Sequence, residues 1–65
     1  MLPNYYRILE VHHDASFEVI EKAYKALCLK YHPDKHKEEK QKWAHEKMHA
    51  INEAYRILSD PINRK

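Results

Sequence analysis

The sequence predicts an all-α domain: an antiparallel hairpin of two long helices, over about 16–31 and 39–58, with a short helix over about 5–9 before it and a short helical turn over about 61–65 after it. Three observations carry this. Phe17, Ile20, Tyr24, Leu27 and Tyr31 step by three, four, three and four residues, which at about 100° per residue makes one stripe. Ala44, Met48, Ile51, Tyr55 and Leu58 step by four, three, four and three and make a second. No segment alternates with period two, so no sheet is expected.

The elements follow in order. Asn4 precedes the apolar run YYRIL and is suited to cap a helix of one or two turns. The segment EVHHDA, 10–15, is a connector whose one strong apolar anchor is Val11. Ser16 suits the N-cap of the first long helix, and Glu18 and Glu21 lie near its positive end. Pro33 ends that helix, because the residue before a proline avoids the α region. HPDKHKEE, about 32–39, is polar and reads as an exposed loop. In the second long helix a flanking stripe of Trp43, Ala50, Ala54 and Ile57 widens the apolar face, as suits a helix packed against several partners. Ser59-Asp60-Pro61 closes it, and Asp60 with Pro61 can open a last turn.

Size and composition limit the function. The chain has 65 residues, enough for one domain spanning 1–65. A chain this short buries only about 60% of its unfolded surface, which disfavours a deep catalytic cleft and favours a binding surface. With 43% apolar and 34% charged residues it is a foldable, soluble composition. Glycine is absent, which excludes the phosphate-cradling loop and the dinucleotide fingerprint. The net charge of +2 is too mild to argue for nucleic acid. The single cysteine, Cys28, demands no oxidising compartment and reads as a small buried or half-buried hydrophobe. No apolar run reaches membrane-span length and no signal peptide is expected, so the cytoplasm is the favoured location.

The tripeptide His32-Pro33-Asp34 sits in the tip loop of the hairpin. HPD alone is a weak signal. Here it directly follows KAYKALCLKY, with INEAY sixteen residues further on. NYYRILEV at 4–11, DAS at 14–16, IEKAYKALCLKYHPDK at 20–35 and INEAYRILSDP at 51–61 complete a pattern that covers nearly the whole chain. On these residues the chain resembles the J-domain family, the DnaJ-type co-chaperones.

That resemblance implies a co-chaperone module and no enzyme. J-domains dock on the ATP-bound form of a seventy-kilodalton heat-shock chaperone and stimulate its ATP hydrolysis, locking it onto client polypeptide. The expected contact residues are His32, Pro33, Asp34 and Lys35 in the loop, with Lys22, Lys25 and Leu29 on the helix before it. No cofactor or metal, no nucleic acid, no membrane contact and a monomeric state are expected. By physical chemistry alone, Pro33 stiffens the loop, which lowers the entropy lost on docking. Asp34 can accept from an arginine of the partner, and His32 can donate and accept through its two ring nitrogens. Lys22 and Lys25 taken alone read as a solvated face; the resemblance turns them into a docking face. Leu29 lies between them in angle and reads as a contact residue rather than an ordinary exposed leucine.

Four positions depart from the family pattern. Glu10 stands where the family commonly has glycine, so either a left-handed glutamate is strained or the turn is wound differently. Glu21 and Ala26 stand where basic residues are common on the docking helix, and Met48 replaces the usual core phenylalanine. Two other motifs compete with this pattern. His45-Glu46-Lys47-Met48-His49 matches the metalloprotease pattern HExxH, but both histidines tilt to solvent, and catalysis needs a third ligand and a substrate cleft that 65 residues barely supply. A helix-turn-helix nucleic-acid binder is opposed by a linker longer than the usual three or four residues and by Glu39, Glu46 and Glu53 on the second long helix. His12, His13 and His36 read as surface histidines in loops.

Overall fold

The structure, a computed structural model, describes residues 4–60. Its helices are α1 (Tyr5–Ile8), α2 (Phe17–Tyr31) and α3 (Glu38–Leu58), with a 3-10 turn at Pro33–Lys35 between the last two. The helical turn expected over about 61–65 lies outside the described residues.

Local chemistry sets the ends. Asn4 Oδ1 accepts from the Arg7 amide at 3.2 Å and Ser16 Oγ from the Val19 amide at 3.4 Å, so α1 and α2 carry side-chain caps. α3 starts one residue earlier than expected, at Glu38, with Lys37 as an N-cap that makes no side-chain bond. Glu38 and Glu39 in its first turn oppose the positive end of the helix dipole instead. Ser59 closes α3 by donating its amide to the Tyr55 carbonyl at 2.9 Å and its hydroxyl to the Arg56 carbonyl at 3.2 Å.

The turn after α1 resolves the question posed by Glu10. Its φ is 58°, so the glycine-type left-handed conformation is kept by a glutamate. The Glu10 amide donates to the Arg7 carbonyl at 3.0 Å and the Val11 amide to the Tyr6 carbonyl at 2.9 Å. These two bonds are the Schellman pair that closes a helix through one left-handed residue. They hold the glutamate in a region its Cβ disfavours.

α2 and α3 run antiparallel, since Tyr24 meets Asn52 and Tyr55 while Tyr31 meets Trp43. α1 lies against α3. The core is Leu9, Ile20, Leu27, Ile51, Ala54 and Leu58, ringed by tyrosines 5, 6, 24, 31 and 55 and by Met48. Leu9 and Ile20 are fully buried, and each such side chain contributes about 1.5–3 kcal/mol by leaving water. Tyr24 and Tyr55 stack at 4.1 Å, and the Tyr24 hydroxyl donates to Asn52 Oδ1 at 2.7 Å. Burial pushes the Tyr24 phenol up from its ordinary value, helped by the Cys28 thiol beside it. Cys28 is half-buried, as expected.

Two residues of the expected apolar stripes are exposed. Phe17 is 43% exposed, because it opens α2 nearly a turn ahead of Ile20, where the packed core begins. Trp43 is also 43% exposed and packs by its edge against Tyr31 and His36.

Candidate functional site

The site grows from the stop signal of α2. His32, the C-cap, has φ −59° and ψ 124°, the extended setting that a following proline imposes. The chain then makes the 3-10 turn, closed by the Lys35 amide donating to the His32 carbonyl at 3.0 Å. The expected continuous loop over about 32–39 is thus partly regular: it holds this turn, and its last two residues belong to α3.

Inside the turn, the Asp34 amide donates to His32 Nδ1 at 3.3 Å. A neutral His32 that accepts at Nδ1 carries its proton on Nε2, which leaves an N–H donor for another molecule. The Asp34 carboxylate lies 3.7 Å from the same Nδ1, too far for a hydrogen bond. With 88% of its side chain exposed, that carboxylate can accept from a partner, and His32 beside it is 54% exposed. Lys35 is exposed at the end of the turn.

The structure places Lys22, Lys25 and Leu29 on the solvent side of α2, on the helix that leads into the turn. Leu29 is 64% exposed, the most open of the large apolar side chains described. Lys25 Nζ lies 3.6 Å from Glu21 Oε1, one turn earlier. This exposed pair is weak, so Lys25 can exchange it for a partner's carboxylate at little cost. Glu21 therefore draws on the positive face without removing it.

The other histidines separate. His45 and His49 are exposed on α3. Among the described residues the group with three potential metal ligands close together is His12, His13 and Asp14, within 4.8 Å and all exposed, and neither histidine of the HExxH pattern is in it. An open groove of about 330 Å³ along α3, lined by His49, Asn52, Glu53 and Arg56, contains no residue of the turn.

The DnaJ domain family model matches residues 4–65. The chain belongs to the DnaJ domain family. It is 52% identical over 61 residues to a Chaperone protein DnaJ of Nitratiruptor sp. and 49% identical over 65 residues to one of Thermoplasma acidophilum. It is 51% identical over 61 residues to one of Methanosarcina thermophila. These matches cover 94%, 100% and 94% of this chain, and 16%, 18% and 15% of the relatives, so the chain spans about a sixth of their length. Among the described residues of this DnaJ domain no helix is long and apolar enough to cross a membrane.

Sequence reasoning missed two side chains at the mouth of the turn. His36, expected as a surface histidine, is half-buried: its Nε2 lies 3.1 Å from the Lys30 carbonyl, and its ring meets Trp43 edge-on at 5.6 Å. The signal was present in the register. In an antiparallel hairpin the residues just before the turn face those just after it, which brings Trp43 to Tyr31, at 5.3 Å, and to His36, at 5.6 Å.

Proposed function

We propose that this DnaJ domain is a co-chaperone module that docks on the ATP-bound form of a seventy-kilodalton heat-shock chaperone and stimulates its ATP hydrolysis, promoting capture of client polypeptide. The observation that carries the reading is the exposed carboxylate of Asp34, held in a short turn at the end of a helix whose outer face presents Lys22, Lys25 and Leu29. A carboxylate on a stiff turn suits a bidentate arginine. Beside it, His32 offers an N–H, Pro33 limits the turn's freedom, and Lys35 adds positive charge. Lys22 and Lys25 attract an acidic partner surface and orient the encounter, while Leu29 supplies the apolar contact.

In this reading the domain hydrolyses nothing and needs no cofactor. It acts as a monomer over 1–65 and binds neither nucleic acid nor membrane. The test is single-turnover ATP hydrolysis by a purified chaperone with the wild-type domain and with Asp34→Asn. Acceleration by the wild type and a basal rate with the variant support the function; equal rates with and without the folded wild-type domain, across several chaperones, overturn it.

A further inference from the structure

We propose that His36, held by Trp43, is a positioning residue that clasps the His32–Asp34 turn against the end of α2. The clasp rests on the docking reading above for its purpose, but its geometry stands apart from it. The Lys30 carbonyl is one of the last four of α2, which have no partner within the helix. His36 reaches back six residues to that carbonyl, with Nε2 at 3.1 Å. Since a carbonyl only accepts, Nε2 carries the proton. The far side of the ring is fixed by α3: Trp43 meets His36 at 5.6 Å and 84°, and Trp43 meets Tyr31 at 5.3 Å and 69°. The side-chain amide of Gln41 donates to the His36 main-chain carbonyl at 3.5 Å.

The consequence is a turn tied at both ends. Tyr31 packs on the core, His36 is joined to α2 by its ring and to α3 by Trp43 and Gln41, and the four residues between them contain the whole HPD tripeptide. Fixing those ends removes chain entropy before docking, so less is lost when the partner binds. Neither His36 nor Trp43 belongs to the buried core or the ring of residues packed on it, so the clasp can be removed without opening the fold. Gln extends far enough to replace the Nε2–H donor, which makes His36→Gln the conservative variant and His36→Ala the null.

Two readouts decide the proposal. The first is the ¹⁵N order parameter of the Asp34 and Lys35 amides in the domain alone. It is expected at about 0.85 in the wild type and His36→Gln, and below about 0.6 in His36→Ala. The second is the domain concentration giving half-maximal stimulation of an ATP-loaded chaperone. It is expected to rise about fivefold in His36→Ala, the size of one residue's ordering entropy, with the maximal rate unchanged and most of the loss restored by Gln. A common melting temperature separates turn order from folding; if His36→Ala melts early, Trp43→Leu carries the same two readouts. Unchanged order parameters overturn the clasp, and so does a loosened turn with an unchanged half-maximal concentration. A wild type that stimulates no chaperone defeats the docking function, while the order parameters still decide the clasp.

Discussion

The backbone amide of Asp34 donates to Nδ1 of His32 at 3.3 Å, so the turn's internal bond uses the aspartate's main chain and leaves its carboxylate out. Asp34→Asn therefore keeps the turn and removes the charge and one of the two acceptor oxygens offered to a partner. The stimulated ATPase rate is expected to fall to the basal rate. The folding free energy is expected to stay within about 0.5 kcal/mol of wild type, as for other exposed substitutions. Melting curves run beside the single-turnover assay separate the two. A variant that lost both activity and several degrees of stability would move the cause to folding.

The face of α2 divides into charge and contact. Lys22→Ala with Lys25→Ala is expected to slow association at low salt, with the difference from wild type shrinking as ionic strength rises. Leu29→Ala is expected to raise the half-maximal concentration about fivefold at every salt concentration, the scale of about 1 kcal/mol for a truncated contact residue. Stopped-flow binding across a salt series distinguishes them. A Leu29→Ala effect that vanished at high salt would show that the leucine is a bystander in a charged face.

The helices were legible because their information is local. Steps of three and four, Asn4 and Ser16 as caps and Pro33 as a stop need no tertiary knowledge. What escaped depends on distance in space. Phe17 matches the stripe but precedes the packed core, and His36 is half-buried only because α3 brings Trp43 over the end of α2. The tripeptide itself is instructive. His12 and Asp14 repeat the bond of His32 and Asp34, with the Asp14 amide donating to His12 Nδ1 at 3.1 Å. The H-x-D turn is thus a local habit of these residue types. What sets the second apart is its place at the end of the basic helix, together with the proline and the wider pattern around it.

Glu10 offers a stability test independent of any partner. Its φ of 58° is stabilised by the two turn bonds and disfavoured by its Cβ. Glu10→Gly relieves that strain while adding freedom to the unfolded chain. The strain, about 1–2 kcal/mol, exceeds the entropy offset of about 0.5–1 kcal/mol. A net gain of about 1 kcal/mol, or about 4–8 °C in melting temperature, is expected. Glu10→Ala should not reproduce it, because alanine keeps the Cβ. Thermal melts of the three proteins decide, and equal gains from glycine and alanine would count against backbone strain.

Tyr24 links packing to pH. Its hydroxyl bond to Asn52 at 2.7 Å ties α2 to α3, and burial raises its pKa above the ordinary value of about 10. The folded state thus holds the phenol proton more tightly than the unfolded chain does. That contribution is complete below about pH 10 and is lost as pH rises through the folded value. Tyr24→Phe is expected to cost about 1 kcal/mol at neutral pH, the net worth of one hydrogen bond whose other partner, Asn52, is exposed and can return to water. The gap between wild type and variant should narrow above pH 10, where the wild type loses its proton and phenylalanine has none to lose. The other tyrosines titrate in both proteins and largely cancel in the difference. Urea unfolding at pH 7 and pH 11 measures that gap, and an equal difference at both would show that the Tyr24 proton plays no part in holding the hairpin together.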